Sequence, residues 1–364
     1  MCALGETGAA GHADMMRIHV ADADDAVMRL VRIALGGLQP GDGSWVKNYF
    51  SPEPGDHIAA LSRLSGEAGL HGGRTASWSQ GGSARELISD CPGADVLVLR
   101  RGEVTPDVLD ECRTLKLIVQ MGEGVGHVDP TDVARRGIQF RTIQRRSLDR
   151  TAEHVLLLML AVARRLRSAD AAVRTGSRDR TEGESYNWAG LTRVVGLADR
   201  KLGIIGLGDV GRRVVPLARA FGMTVSYTNR SGIAKDAAFD AAHGISLESM
   251  NELLRSSDFV TLHAKQAGQP VMGESEFAAM KTGSYFVNTS RGWLVDEPAL
   301  MRALSEGRVI GAGLDVHRDE PRPADDPMLQ FDNVVLTPHV AGGSRLELLH
   351  EIRQLLRVVG GEWR

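Results

Sequence analysis

One short stretch restricts the fold of this 364-residue chain more than any other: an apolar strand pattern runs directly into spaced glycines and then into a helical pattern. The strand pattern covers residues 202–205, and the helical pattern covers residues 212–221. Between them, Gly206 permits a tight turn, Gly208 lets the backbone approach a pyrophosphate, and Gly211 lets helix and strand pack closely. This order predicts a Rossmann-type dinucleotide-binding unit with the phosphates at the helix N-terminus. The phosphate contacts are expected from Gly206, Gly208, Asp209, Val210 and Gly211.

The end of the next strand pattern, residues 224–227, indicates which dinucleotide binds. In NAD-binding units an acid about 20 positions beyond the glycines holds the ribose 2′-hydroxyl. This chain has Asn229, Arg230 and Ser231 at that place. Arginine and serine donate hydrogen bonds that match a 2′-phosphate, so NADP is the preferred cofactor and NAD the alternative. A solvated loop arginine is the other interpretation of Arg230.

Both halves of the chain alternate short strands with helices, which predicts an α/β fold. Because 364 residues exceed what one hydrophobic core usually supports, we expect two domains with a boundary near Arg150. A helical pattern over residues 151–167, with Thr151 as its N-cap, predicts one long helix that joins them. The Gly- and Pro-rich segments of the first third are expected to form surface loops; they are residues 41–43, 51–55 and 66–82.

Composition and charge exclude several classes of function. Lys and Arg total 43 against 46 Asp and Glu, and no basic block stands out, so nucleic acid is not expected as a partner. The compact apolar run at residues 155–163 is far shorter than the roughly 20 residues of a membrane span. Residues 1–15 show no signal-peptide pattern and are expected to be a disordered extension of a cytoplasmic protein. Cys2, Cys91 and Cys112 lack the spacing of zinc ligands, so neither a metal site nor a disulfide is expected.

Further motifs accompany the glycine-rich turn in a specific order along the chain. They are TAEH at 151–154, NTSRG at 288–292, GLDV at 313–316, EP at 320–321 and LTPH at 336–339. Together they resemble the D-isomer-specific 2-hydroxyacid dehydrogenase family, from Ala94 to the end of the chain. Residues 222–231 are most similar to the NADP-using glyoxylate and hydroxypyruvate reductases of that family.

The resemblance implies two Rossmann-like or flavodoxin-like domains with an active-site cleft between them. A dinucleotide-binding domain of residues 150–338 is inserted into a substrate (catalytic) domain of residues 16–149 and 339–364. Residues 345–363 therefore return to the first domain. Family members usually form homodimers through the dinucleotide-binding domain, and residues 152–187 are the expected contact.

The resemblance also implies the reaction, in which a hydride moves between nicotinamide C4 and C2 of a small 2-hydroxy or 2-keto acid. His339 matches the acid/base of the family, since imidazole both gives and takes a proton near neutral pH. Glu320 matches the carboxylate that orients this imidazole, and Arg291 matches the guanidinium that binds the substrate carboxylate and keto oxygen. Each residue alone also fits a structural interpretation, such as a loop histidine or a surface charge. Their joint placement is what indicates catalysis.

Supporting positions are implied by the same motifs. The backbone N–H groups of Glu123 and Gly124 are expected to bind the substrate carboxylate, with Arg100 adding positive charge. Asp315 is expected either to contact the nicotinamide carboxamide or to tune the catalytic histidine, and the role of His263 is open. The residues expected to contact the dinucleotide beyond its phosphates are Asn229, Arg230, Ser231, His263, Thr289, Asp315 and Gly342.

The sequence leaves other functions open. Related chains act as dinucleotide-sensing corepressors, but the presence of His339, Glu320 and Arg291 argues against a pure sensor. Phosphoglycerate, formate and phosphite dehydrogenases of the same superfamily are the enzymatic alternatives.

Overall fold

The computed structural model describes residues 15–70, 74–122, 128–176, 186–234, 236–264 and 268–362. The chain divides into two compact units. The first unit runs to Arg146 and resumes at Ser344, and the second unit is Ser147–Gly343. Each unit contains one parallel sheet flanked by helices, so the predicted α/β fold class is confirmed.

The first unit alternates strands and helices. Its elements are β1 (Met16–Val20), α1 (Ala26–Ala34), α2 (Asp42–Phe50), α3 (His57–Glu67), β2 (Arg74–Trp78), α4 (Ala84–Asp90), β3 (Val96–Leu99), α5 (Pro106–Glu111), β4 (Leu117–Met121), α6 (Pro130–Arg135) and β5 (Gln139–Ile143). The sheet order is β2-β1-β3-β4-β5, and every pairing is parallel. The strands β3 and β4 are buried throughout, as expected for a parallel sheet covered on both faces.

The second unit begins with two helices and continues as a longer sheet. Its elements are α7 (Ser147–Ala163), α8 (Leu166–Thr175), β6 (Lys201–Ile205), α9 (Asp209–Ala220), β7 (Thr224–Thr228), α10 (Ala237–His243), β8 (Ser246–Leu247), α11 (Met250–Ser256), β9 (Phe259–Leu262), α12 (Glu274–Ala279), β10 (Ser284–Asn288), α13 (Glu297–Ser305), β11 (Val309–Leu314) and β12 (Val334–Leu336). The sheet order is β12-β11-β10-β9-β6-β7-β8. All pairings are parallel, so the carboxyl ends of the strands lie along one edge.

The last helix, α14 (Glu347–Arg357), packs in the core of the first unit. Its Ile352 and Leu355 are fully buried in the same cluster as Leu30 of α1. An ion pair at 3.5 Å joins Arg145 and Glu351 beside this cluster. The C-terminal segment therefore completes the sheet-and-helix layers that the first third of the chain begins.

The unit boundaries differ by a few residues from those expected from the sequence, 149/150 and 338/339. The structure places them at 146/147 and 343/344. Helix α7 already starts at Ser147, and the N–H groups of His339, Val340 and Ala341 all bond to Asp315 of the second unit. Residues 339–343 therefore belong with the dinucleotide-type sheet.

Two of the three predicted surface loops are wrong. Residues 41–43 lead into α2 because the buried Asp42 carboxylate accepts hydrogen bonds from Arg29 and Arg32. Within residues 66–82, β2 forms an edge strand that pairs in register with β1, from Met16 opposite Arg74 onwards. Gly and Pro content marked these segments as loops, but long-range pairing and a buried ion pair override it.

The single long helix expected over residues 151–167 is also wrong. Helix α7 begins at Ser147, so Thr151 lies inside it and its hydroxyl donates to the Ser147 carbonyl at 3.4 Å. The helix ends at Ala163, and Arg165 adopts a left-handed conformation with a φ of +51° before α8 starts. The apolar pattern gave the buried face of α7, but the break between two helices leaves no clear mark in the helix-favouring residues around it.

Candidate active site

The glycine-rich turn after β6 is built by close backbone approaches. Gly206 has a φ of +101°, and a Cβ on it would lie 2.8 Å from the carbonyl carbon of His263. The Gly206 N–H donates to the Thr228 carbonyl at the end of β7, at 2.9 Å. A Cβ on Gly211 would lie 2.6 Å from the Gly206 carbonyl oxygen, whereas one on Gly208 would have nothing within 4 Å. Gly206 and Gly211 are therefore needed for the fold itself, and Gly208 borders open space at the N-terminus of α9.

His263 follows β9 and lies against this turn. Its N–H donates to the Ile205 carbonyl at 2.8 Å, and its Nε2 lies 3.0 Å from Thr261 Oγ1. The side chain is buried, and burial lowers the pKa of its imidazole to about 4. A neutral imidazole in this place supports the turn, and its assignment to the dinucleotide stays a prediction.

The loop after β7 carries the residues expected at the ribose 2′ position. Asn229 organises this loop: its Nδ2 donates to a loop carbonyl at 2.9 Å, and its Oδ1 accepts from Ser231 Oγ at 3.0 Å. Arg230 is exposed. Asp236 is the one acid in the sequence from 229 to 236, and its carboxylate accepts from Arg212 at 2.8 Å. Asn229 and Ser231 thus use side-chain donors within the loop, Arg230 is exposed, and the acid is held by a neighbouring arginine.

The strand ends at β6 and β10, together with the loop after β12, fit a bound dinucleotide. Among the described residues, Thr289 Oγ1 is one of several buried hydroxyls without a hydrogen-bond partner, and it lies directly after β10. Native proteins seldom keep such a group unless a ligand or water completes it. A Cβ on Gly342, like one on Gly208, would contact nothing within 4 Å. An unpaired hydroxyl and unhindered glycine backbone near the carboxyl ends of the strands are compatible with a dinucleotide, which binds at this edge of such sheets.

The loop after β12 presents His339. This residue has a φ of +55°, and its N–H lies 2.8 Å from the Asp315 carbonyl and 3.0 Å from that of Thr337. Its Nδ1 lies 2.7 Å from Glu320 Oε2. The two side chains are 47% and 37% exposed, so the pair is open to solvent and to ligands. Because Nδ1 is engaged by the carboxylate, Nε2 is the ring atom able to exchange a proton with a substrate.

Glu320 is held in its ionised form. Partial burial alone would raise the pKa of its carboxyl group. The hydrogen bonds from His339 and from the His317 N–H, the latter at 2.9 Å, outweigh burial and bring this pKa below its ordinary value. An ionised carboxylate at Nδ1 fixes the orientation and tautomer of the imidazole.

Asp315 lies fully buried beneath the same loop. Its Oδ1 accepts from Thr337 Oγ1 at 2.6 Å and from the Val340 N–H at 2.9 Å, and its Oδ2 accepts from the Ala341 N–H at 2.9 Å. His154 of α7 extends the network, because its Nε2 lies 3.0 Å from Thr337 Oγ1. Both carboxylate oxygens are engaged by donors of the chain itself. This favours the interpretation in which Asp315 acts on the histidine loop.

Arg291 stands in a tight turn after β10. Asn288 closes the turn, because its Nδ2 donates to the Arg291 carbonyl and its Oδ1 accepts from the Ser290 N–H, both at 2.9 Å. A Cβ on Gly292 would overlap the His317 carbonyl, so the turn packs directly against the loop after β11. That loop leads to Glu320. Residues far apart in sequence thus bring the arginine turn and the histidine–carboxylate pair to one region of the second unit.

The other residues assigned to substrate lie in the first unit. Glu123 and Gly124 fall outside the described residues. Arg100 follows β3, and its guanidinium forms an ion pair with Asp25. The N–H groups of residues 100–102 all donate to one oxygen of Asp22, which fixes this strand end. The roles of Arg100, Glu123 and Gly124 toward substrate stay predictions.

Four residues that the structure places at the histidine loop have no role predicted from the sequence. His154 and Thr337 lie inside the quoted motifs, but the motifs alone do not show that the two side chains meet. His317 and Arg322 lie in no quoted motif, and Arg322 Nε lies 3.2 Å from His317 Nδ1. Only the folded chain shows that these polar residues contact one another, from His154 through Thr337 and His317 to Arg322.

Metal-binding clusters and membrane-spanning helices are both absent from the described residues. No group of three or more His, Cys, Asp or Glu side chains there is arranged to hold a metal ion. None of the helices in that part of the chain combines the length and apolarity needed to cross a membrane.

Comparison with protein families matches residues 156–341 to "D-isomer specific 2-hydroxyacid dehydrogenase, NAD binding domain". A D-3-phosphoglycerate dehydrogenase of Methanocaldococcus jannaschii is 38% identical over 258 residues, which are 70% of this chain but 47% of that protein. The chain thus spans about half the length of this relative.

A glyoxylate reductase of Korarchaeum cryptofilum is 35% identical over 272 residues, which cover 74% of this chain and 77% of the reductase. Among solved structures, the TT0316 protein of Thermus thermophilus is 29% identical and aligns over 94% of both chains with a TM-score of 0.52. The similarity therefore extends over both units.

Proposed function

The chain belongs to the D-isomer specific 2-hydroxyacid dehydrogenase family, and from that premise we propose that it is an oxidoreductase that interconverts small D-2-hydroxy acids and 2-keto acids with NADP. The observation that carries this proposal is the 2.7 Å contact between His339 Nδ1 and Glu320 Oε2 in an exposed loop. A dinucleotide-binding protein without chemistry has no need of an oriented imidazole at the edge of its site.

In keto acid reduction, His339 and Glu320 provide the proton transfer. When bound, the nicotinamide dinucleotide supplies the hydride. Protonated His339 gives its Nε2 proton to the substrate oxygen as negative charge develops there, and Glu320 orients the imidazole through its contact with Nδ1. In the reverse direction the neutral imidazole takes the hydroxyl proton. One pair of side chains therefore serves both directions.

Arg291 is proposed to hold the substrate. Its planar guanidinium can bond both to the carboxylate and to the adjacent keto oxygen, which orients the substrate and stabilises charge on that oxygen. The turn that carries it is rigid, because the Asn288 side chain bonds to the Arg291 carbonyl and to the Ser290 N–H. A fixed backbone lowers the entropic cost of placing the guanidinium.

The preference for NADP is supported by the loop after β7. Arg230 is exposed at the end of this strand, and the nearest acid in sequence, Asp236, is bound by Arg212. A 2′-phosphate gains a charge-assisted hydrogen bond from Arg230, whereas the 2′-hydroxyl of NAD finds no free carboxylate in the described part of the loop.

Initial rates with a panel of substrates and both cofactors test the proposed function. Glyoxylate and hydroxypyruvate are expected to be reduced with NADPH, and 3-phosphohydroxypyruvate serves as the competing substrate because one relative is a phosphoglycerate dehydrogenase. Arg230→Ala should weaken NADPH binding about tenfold or more and leave NADH binding nearly unchanged. Arg255→Ala is the matched control, because Arg255 of α11 is also exposed and lies away from the loop after β7. Equal use of NADH and NADPH by the unaltered protein would contradict the cofactor preference.

We also propose a cytoplasmic homodimer that forms through residues 152–187. Large apolar side chains in the described part of this segment are exposed: Leu157 by 49%, Leu166 by 53%, Val173 by 67% and Tyr186 by 85%. Such a surface is typical of a subunit interface. Light scattering should give twice the mass of the chain, and Val173→Asp should shift it to monomer. A wild-type protein that is monomeric at micromolar concentration would contradict the dimer.

A further inference from the structure

Next to the histidine–carboxylate pair, Glu297 of α13 and three residues of the loop after β11 form a largely buried polar cluster. Arg322 is the centre of the cluster, with a side chain only 8% exposed. Its guanidinium lies 2.6 Å from Glu297 Oε1 and 2.5 Å from Asp326 Oδ2. Burial alone would lower the pKa of Arg322, but these two carboxylates outweigh it and raise this pKa, so the guanidinium stays charged.

The fourth member of the cluster is His317, and its two ring nitrogens have different partners. Arg322 Nε and Nη2 lie 3.2 Å and 3.1 Å from His317 Nδ1. A guanidinium only donates, so Nδ1 must be the unprotonated nitrogen. On the other side of the ring, Nε2 lies 2.9 Å from the Thr337 carbonyl, which only accepts. These contacts require the Nε2–H tautomer of a neutral imidazole.

His317 contacts both halves of the proposed proton-transfer pair. Its main-chain N–H donates to Glu320 Oε1 at 2.9 Å, so that the other oxygen of Glu320 faces His339. Its ring donates to the carbonyl of Thr337, the same carbonyl that accepts from the His339 N–H at 3.0 Å. One residue therefore fixes the position of the carboxylate and of the turn that carries the imidazole.

We propose that His317, locked in one tautomer by Arg322, is a positioning residue that sets the geometry of the Glu320–His339 pair. This inference rests on the proposed function, because positioning matters only if the pair transfers protons. His317 itself exchanges no proton with substrate, since both of its ring nitrogens are bonded within the protein. The left-handed backbone at His339, with its φ of +55°, explains why such support is needed.

The tautomer can be tested without any catalytic measurement. In protein labelled with ¹⁵N-histidine, long-range ¹H–¹⁵N spectra at pH 7 should show His317 as the neutral Nε2–H form, and Arg322→Lys should remove that restriction because lysine lacks the guanidinium fork. A protonated ring, or the Nδ1–H form, in the unaltered protein would overturn the inference. This readout stands whether or not the protein reduces a keto acid.

The positioning role is tested by a split between turnover and binding. His317→Phe removes both ring contacts and should lower kcat on the order of tenfold, since a small misplacement of a reacting group costs up to about 100-fold. The dissociation constant for NADPH should stay within twofold of the wild-type value. His317→Gln, whose amide can again donate to the Thr337 carbonyl, should restore most of the turnover.

The matched control is His19→Phe in the first unit. His19 is buried as His317 is, and its two ring nitrogens likewise have partners, Ser77 Oγ at 2.9 Å and Ser79 Oγ at 3.2 Å. If both Phe variants lose thermal stability alike but only His317→Phe loses turnover, the positioning role is supported. Equal turnover losses in the two variants, or no rescue by glutamine, would overturn it. If the wild-type protein reduces no 2-keto acid, it is the proposed function that is wrong. The tautomer spectra still decide whether Arg322 holds His317 in the Nε2–H form.

Discussion

The glycine-rich turn after β6 and the histidine loop after β12 both place a residue with positive φ at the end of a strand. They differ in whether that residue carries a side chain. Both follow a strand of one sheet and both need a left-handed residue, Gly206 at +101° and His339 at +55°. At the first turn the absence of a side chain is the essential feature, because a Cβ on Gly206 would meet the His263 backbone. At the second turn a side chain is required, and hydrogen bonds from His339 to the carbonyls of Asp315 and Thr337 hold the strained backbone.

The difference shows where binding and chemistry make different demands. Backbone N–H groups bind a dinucleotide phosphate, so a residue without a side chain lets the phosphate approach them most closely. A proton must be carried by a titratable side chain, so a buried network has to offset the backbone strain. Four predictions test this contrast, from the largest expected effect to the smallest.

His339→Asn should have the largest effect. The asparagine keeps a polar side chain and tolerates a left-handed backbone, but it cannot exchange a proton near neutral pH. Turnover with NADPH and a 2-keto acid should fall by about 100- to 10,000-fold, the usual contribution of general acid–base catalysis. NADPH binding, measured by fluorescence titration, should be unchanged. Wild-type turnover in this variant would remove His339 from the chemistry.

Arg291→Ala should have the second-largest effect. The turn that carries it contains both a position that must lack a side chain and a position that must have one. Gly292 needs to lack a side chain so that the turn can pack against the His317 carbonyl, while Arg291 needs one. Loss of the guanidinium should lower kcat/KM by about 100-fold or more. Arg291→Lys keeps the charge without the fork and should recover only part of the loss. A silent alanine variant would take Arg291 out of the site.

A pair of alanine substitutions separates fold from binding at the glycine-rich turn. Gly211→Ala forces a Cβ to within 2.6 Å of the Gly206 carbonyl oxygen and should lower the free energy of unfolding by about 1–3 kcal/mol. Gly208→Ala meets nothing within 4 Å, so the free energy of unfolding should change little while NADPH affinity falls. Denaturant titration and NADPH titration measure the two effects. Equal behaviour of the two variants in both titrations would contradict the steric account.

His263→Gln should have the smallest effect near neutral pH, because it acts through the pH dependence of stability below pH 6.5. The folded chain keeps His263 neutral down to a pKa of about 4, whereas the unfolded chain takes up a proton near the ordinary value of 6.5. Because the unfolded state binds more protons in that window, stability falls as the pH is lowered from 6.5 to 4. The slope that His263 contributes to the free energy of unfolding is at most about 1.4 kcal/mol per pH unit, and glutamine removes it. An unchanged slope between pH 6.5 and 4 in urea titrations would show that His263 is not the group responsible.

The two turns also differ in how far sequence alone predicts them. Gly206, Gly208 and Gly211 lie within six positions, so their spacing with the flanking strand and helix predicts the turn and its use directly. The histidine loop depends on contacts between distant residues, such as His154 with Thr337. A motif can name His339 and Glu320, but it gives no sign that Arg322 fixes the ring of His317 behind them.

The errors made from sequence have the same origin. The break at Arg165 and the edge strand β2 are set by a left-handed residue and by pairing with β1, neither of which local composition records. The α/β class was predictable because the buried parallel strands leave short apolar runs.

The most direct test of the account is the configuration of the product. Purified protein is incubated with NADPH and hydroxypyruvate, and the glycerate formed is resolved by chiral chromatography. The account predicts D-glycerate in an amount equal to the NADPH consumed. Formation of L-glycerate, or bound NADPH that is not consumed with hydroxypyruvate or glyoxylate, would contradict it.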